Sequence, residues 1–179
     1  SVVYTFICSL GFLDIENEVT SGTQNFEISG RENYNEKISS LDGISLFQEL
    51  KHCSTNGSKT HSKTGFAYLI ENSNFFYRHR NTASVYDAEL QSHQHVLSTS
   101  SFPSTSPFLI VSDSFASLNA FSHPSPAHLL ISRIHPLLEI CSKVFMPVVL
   151  VWAPGHRGIP GNEEVDKAAK HASTPTNHT

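Results

Sequence analysis

Short apolar runs separated by polar turns divide the last two thirds of this 179-residue chain into a legible series of elements. Residues 65–70 (GFAYLI) and 75–80 (FFYRHR) read as two strands of a hairpin, joined by a polar turn over 71–74 that includes Asn72 and Ser73. Residues 86–98 mix Ala88, Leu90, His95, Val96 and Leu97 in a loosely helical pattern. Residues 108–111 form a continuous apolar strand, and Asp113 falls just past its end. A helix from Ser114 follows, with Phe115, Leu118 and Phe121 at three-residue spacing, and it ends before Pro124. Leu129, Leu130, Ile134, Leu137, Leu138 and Ile140 predict a long helix over 127–144, kinked or restarted near Pro136. Residues 148–152 (VVLVW) are the short apolar run of a strand buried on both faces.

After that strand comes a loop over 153–161 with two turn dipeptides, Pro154-Gly155 and Pro160-Gly161. Asn162 is a good N-cap, and Glu163 and Glu164 suit the positive end of the helix it would open. Asp166 then sits in the first or second helical turn, where it and loop residue His156 can point into one site. A hairpin followed by alternating strands and helices is an α/β plan. In such sheets functional groups gather at the carboxyl ends of the strands, where Asp113 and the 153–161 loop fall.

Composition fits one small domain with an extension. Hydrophobic residues at 39% and charged residues at 16% are ordinary for a globular protein of a length that buries one core. The net charge of −4 conceals an uneven spread: residues 1–50 hold eight acids and two basic residues, and residues 51–179 hold eight acids, ten basic residues and all eleven histidines. Ten scattered Lys and Arg residues form no conspicuous patch, so charge alone argues little for a polyanion partner. Cys8, Cys53 and Cys141 show no metal-binding spacing and read as buried small hydrophobes in a reducing intracellular compartment, cytoplasm or nucleus. The apolar opening over 1–13 is too short to span a membrane, has no basic flank and does not begin with Met, so it reads as a piece cut from something longer. Residues 14–45, polar and acidic, read as a connector or a disordered linker.

Four blocks stand in order along the chain: Thr55-Asn56-Gly57-Ser58-Lys59, Ala88-Glu89-Leu90, Ser112-Asp113-Ser114, and the stretch WAPGHRGIPGNEEVDKAAK from Trp152 to Lys170. This series resembles the ribonuclease H domain, in the version attached to reverse transcriptases of non-LTR retrotransposons. The resemblance covers roughly 46–174, leaving 1–45 as an N-terminal connector or a remnant of an upstream region and 175–179 as a tail. It implies a ribonuclease H-like α/β fold, a mixed five-stranded sheet with helices on both faces. It also implies a covalent upstream reverse transcriptase domain in a longer parent protein, and RNA–DNA hybrid as partner.

The implied chemistry is endonucleolytic hydrolysis of the RNA strand of such hybrids. Two Mg2+ ions about 4 Å apart, with Mn2+ as substitute, activate water and stabilise the attacking and leaving oxygens. Such hard cations prefer carboxylate oxygens. By resemblance, Glu89 and Asp113 hold one ion, Asp166 holds the other, position 56 bridges them, and His156 assists proton transfer or product release. Gly57 and Ser58 approach the hybrid backbone and its 2′-hydroxyls.

Each residue also has a plainer role open to it. Asp113 suits a helix N-cap, Glu89 a macrodipole, and Asp166 an i,i+4 pair with Lys170; His93 and His95 suit solvent or a carbonyl partner. The departure that matters is Asn56, where the family has its first aspartate. A carboxamide offers one acceptor oxygen and an NH2 donor that would face a cation, so it cannot bridge two metals. The strand around it, LKHCST over 50–55, is also more polar than the family's central strand. The sequence therefore supports two readings, a hybrid nuclease impaired at Asn56 and a catalytically inactive hybrid-binding or structural remnant.

Overall fold

The computed structural model describes residues 4–8, 51–99, 108–121, 127–143, 148–153, 155–156 and 158–174. The connector expected over 14–45 and the tail over 175–179 lie outside the described residues. In chain order the elements are β1 (Tyr4–Cys8), β2 (Lys51–Thr60), β3 (Lys63–Ile70), β4 (Ser73–His79), α1 (Val85–Thr99), β5 (Phe108–Ser112), α2 (Phe115–Phe121), α3 (Leu129–Lys143), β6 (Val148–Trp152) and α4 (Pro160–Ser173).

The strands form one mixed sheet in the order β1-β6-β5-β2-β3-β4. β2, β3 and β4 are an antiparallel meander, and β5 and β6 add in parallel on the other side of β2. This is the expected five-stranded sheet, extended by one strand. The apolar segment Tyr4–Cys8 pairs parallel with β6, from Tyr4 opposite Val148 to Cys8 opposite Trp152. It supplies partners to backbone groups that β6 would otherwise leave open at an edge.

Period-2 alternation assigns the two faces. From β3, Phe66 and Tyr68 join the larger core with Leu90, Val96 and Leu97 of α1 and Ile131, Ile134 and Leu138 of α3. Ala67 and Leu69 point the other way, onto Val165, Ala168 and Ala169 of α4. Helices therefore cover both faces. β5 and β6 are buried along almost their whole length, as two-sided parallel strands require. α3 runs from Leu129 to Lys143 with Pro136 inside it.

Two local expectations change. The hairpin turn contracts to Glu71 and Asn72, with Glu71 in the left-handed region at φ 54°. More consequentially, Asn162 is not the N-cap of α4. The helix begins at Pro160 with Ile159 as its cap residue, because proline's fixed φ suits the first helical turn and moves the start three residues upstream. Asn162 is carried inside the helix and buried.

α1 is capped by a reciprocal pair that the sequence reading overlooked. The Ser84 backbone N–H donates to Asp87 Oδ2 at 2.8 Å, and the Asp87 N–H donates to Ser84 Oγ at 3.0 Å. His128 binds the other Asp87 oxygen at 3.1 Å. Burial acts to raise the Asp87 pKa, but the bonds from Ser84 and His128 outweigh it and hold the carboxyl below its usual value. Ser84→Ala should therefore lower unfolding free energy by about 1 kcal/mol, the usual worth of an N-cap. A urea titration with unchanged slope and a lower midpoint checks this.

Candidate active site

The site begins with a register. β2 and β5 run parallel with Thr55 opposite Ser112, so the residues that follow them, Asn56 within β2 and Asp113 just past the end of β5, lie side by side. The Asn56 side chain donates from Nδ2 to both Asp113 oxygens, each at 3.3 Å. Asn56 is only 3% exposed, so this donor has no water to fall back on. The amide orientation follows from its neighbours, since two carboxylate oxygens accept from NH2 and would repel the amide oxygen.

The polar strand β2 is central despite its sequence, because alternation brings several of its polar side chains to partners on the flanking elements. Thr55 faces α1 and meets His93 Nε2 at 3.2 Å. Ser58 faces the end of α4, where its hydroxyl accepts from Ser173 Oγ at 3.2 Å. Gly57 permits the closest approach: a Cβ there would sit 2.7 Å from the Glu89 backbone nitrogen. Helix α1 can lie this close to β2 only because residue 57 has no side chain.

Glu89 is buried, and its carboxylate accepts a hydrogen bond from the Gly57 backbone while Oε2 has no partner. Burial pushes its pKa well above the ordinary glutamate range; the Gly57 bond opposes the rise, and the charges of Asp113 and Asp166 add to it. Asp113 is also raised, first by burial and then by Asp166, against the pull of its own backbone N–H, Asn162 and His156. The Asn162 Oδ1 atom is buried without a partner. Trp152 Nε1 donates to the Asp113 carbonyl at 3.0 Å and fixes the backbone at the strand end.

Asp166 lies on the second turn of α4, with Lys170 Nζ 2.5 Å from Oδ2 and His156 Nδ1 3.9 Å from the same oxygen. The i,i+4 pair anticipated for Asp166 is thus present, alongside its electrostatic influence on Asp113 and Glu89. His156 is exposed, in the left-handed region at φ 56°. Asp113 is not a plain helix cap, since its carboxylate is occupied by Asn56, Asn162 and its own N–H. Glu89 is likewise spared the role of first-turn acid, which Asp87 fills.

His93 takes a carbonyl partner, as anticipated for it. Its Nδ1 donates to the Glu89 carbonyl at 2.7 Å, leaving Nε2 to accept from the Thr55 hydroxyl. Full burial lowers its pKa to about 4, and the bond to the Glu89 carbonyl only partly opposes this, so the ring is neutral. His95 packs among Phe66, Tyr68 and Tyr77 instead of facing solvent. Cys53 and Cys141 are buried, and burial lifts the Cys53 thiol to about 12, which leaves it unreactive.

Could these residues hold a divalent ion? The unpartnered Glu89 Oε2 is a suitable oxygen donor. Against it, the Asn56 NH2 covers both Asp113 oxygens and Lys170 covers Asp166. Among the described residues no group of three or more His, Cys, Asp or Glu side chains is gathered so as to hold a metal ion. The arrangement as it stands does not fit a pair of ions bridged at position 56. No helix among the described residues is long and apolar enough to cross a membrane.

A mixed sheet of five strands extended by a sixth, with helices on both faces and acidic side chains near the ends of its parallel strands, defines a ribonuclease H-like domain. Residues 51–174 match the family profile of RNase H, and the chain belongs to that family. Membership supports action on RNA–DNA hybrids as its general chemistry. A comparison with curated proteins finds no match.

Two pH dependences follow. Glu89 has a folded pKa above its ordinary 4.5, so its contribution to stability is intact below that value and is lost as pH rises through the folded pKa. Glu89→Gln should raise Tm by about 2–4 °C at pH 8, roughly 1 kcal/mol in a domain of this size, with the gap closing below about pH 4.5. His93 has the opposite sign: its folded pKa of about 4 lies below the ordinary 6.5, so stability present above 6.5 is lost as pH falls toward 4. His93→Leu strands the Thr55 hydroxyl and should cost about 1–3 kcal/mol at pH 7.5. That deficit should narrow between pH 6.5 and 4, as thermal melts across the range would record.

Proposed function

We propose that this chain is an RNA–DNA hybrid-binding ribonuclease H domain in which cleavage of the RNA strand is held back at position 56. The observation that carries the reading is the Asn56 amide bonded to both oxygens of Asp113, beside the otherwise retained acids Glu89 and Asp166. Hydrolysis by a two-ion mechanism requires a bridging carboxylate, and Mg2+ would supply the activation of water and the neutralisation of charge. With aspartate at position 56, Glu89 and Asp113 would hold one ion and Asp166 the other. With Asn56 the donor set does not fit, and the chain's own residues are left to bind and orient. Gly57 and Ser58 would face the hybrid backbone, and exposed His156 would serve proton transfer or product release.

The four motif blocks support the finer setting, a domain of a non-LTR retrotransposon polyprotein with a reverse transcriptase upstream; the widely spaced cysteines support a reducing compartment, cytoplasm or nucleus. A second reading, an inactive hybrid-binding or structural remnant, is favoured by the same Asn56–Asp113 contact together with the Lys170–Asp166 pair.

Cleavage of a labelled RNA–DNA hybrid in Mg2+ or Mn2+ separates them. Asn56→Asp should cleave at least about 100-fold faster than the native chain, since bridging two ions is worth several kcal/mol and each 1.4 kcal/mol is tenfold. Asp113→Asn should abolish whatever activity is present, and all variants should bind hybrid with an affinity that weakens with salt. Hybrid binding with silence from Asn56→Asp would mark the remnant; no salt-sensitive binding would sink both readings.

A further inference from the structure

We infer that this chain carries its own replacements for divalent cations: the Asn56 amide and the Lys170 ammonium keep its acidic site folded without a metal ion. The inference rests on the assignment of positions 56, 89, 113 and 166 to one site. It concerns the stability of the domain, which the cleavage reading leaves open.

Three carboxylates bear on one another here. Asp113 feels Asp166, and Glu89 feels both. In low-dielectric surroundings such a group requires protons, metal ions or hydrogen-bond donors to remain compact. The chain supplies donors. Asn56 Nδ2 reaches both Asp113 oxygens at 3.3 Å, and Lys170 Nζ lies 2.5 Å from Asp166 Oδ2. Asn56 is the buried one of the two, and it is held in strand β2 by pairing on both sides, with Ala67 opposite it on β3 and its neighbour Thr55 opposite Ser112 on β5. Burial and its two bonds to Asp113 keep the amide in place.

Replacing that NH2 with a carboxylate oxygen turns two favourable contacts into like-charge contacts at the same distances. Among the described residues, what then still favours a charged Asp113 is its own backbone N–H, Asn162 and exposed His156. A divalent cation would restore the balance. The single change Asn56→Asp should therefore convert a metal-indifferent fold into a metal-dependent one, because an ion that binds only the native state raises its stability by mass action.

Thermal unfolding without nucleic acid tests this, comparing the native chain, Asn56→Asp, and Asn56→Asp/Asp113→Asn in EDTA and in millimolar MgCl2. The native chain should shift by less than about 1 °C on adding Mg2+. Asn56→Asp should melt at least about 4 °C lower than the native chain in EDTA and recover in Mg2+, or fold only when Mg2+ is present. The double variant, which keeps an amide facing a carboxylate, should melt near the native chain in both buffers. Equal melting of native and Asn56→Asp chains in EDTA would overturn the inference. So would a native chain that gains as much from Mg2+ as Asn56→Asp, a single variant that Mg2+ does not rescue, or a double variant that fails to fold. Since no hybrid is present, these results stand apart from the cleavage assay: an Asn56→Asp chain stabilised by Mg2+ yet unable to cleave would count against the nuclease reading alone.

Discussion

Acidic groups brought together where water is scarce repel one another, and much of the local architecture bears on that repulsion. The register that pairs Thr55 with Ser112 is its origin, because it sets position 56 against Asp113 at the end of a buried parallel strand. Helix α1 then adds Glu89 from one face and helix α4 adds Asp166 from the other. Each approach requires its own accommodation. Gly57 lets α1 descend onto β2, the Ser84–Asp87 pair anchors the start of that helix, and Trp152 fixes the Asp113 carbonyl. What remains uncompensated is visible in Glu89, whose Oε2 has no partner and whose pKa is driven up by burial. Such stranded oxygens cluster at functional sites, where stability is given up for chemistry.

The fold was most legible where one physical signal dominated. Residues 148–152 and 108–111 are continuous apolar runs, and they became two-sided buried strands. The hairpin was equally plain, since its aromatic strands carry their own turn. Strand β2 was the least legible because its stability lies in contacts distant in sequence. Thr55 finds His93 and Ser58 finds Ser173, so hydroxyls that read as a weakness in LKHCST are satisfied inside the sheet. Hydrophobic pattern does not report such pairings. At Asn162 a good local rule met a better one, for Pro160 starts the helix earlier and the cap residue is drawn into its buried side.

At the site, sequence spacing identified the acids but not their relations. Asp166 illustrates the difference. The plain reading, a pair with Lys170, and the functional reading, a carboxylate acting on Asp113, proved compatible, because one oxygen can accept from Lys170 while its charge still reaches across the pocket. His93 went the other way: as one histidine among eleven it carried no signal, yet it ties the strand that bears Asn56 to the helix turn that bears Glu89. A fixed tautomer follows from those two bonds, and such a buried neutral ring orders its surroundings without entering any proton transfer.

Asparagine at position 56 is tolerated by the fold for the reason it is unsuited to the chemistry. Asn and Asp have nearly the same shape, so strand pairing, burial and the approach of α1 are indifferent to the exchange. Charge and donor count differ, and those are what a bridging ligand depends on. In a crowded acidic pocket the exchange even favours the folded state, since one repulsive group is replaced by a donor that its neighbour can accept from. On the proposed reading, loss of metal chemistry and gain of a self-contained fold are two consequences of one residue. On that reading the geometry of the site does not depend on catalysis to maintain it, because the hydrogen bonds between Asn56 and Asp113 serve the fold.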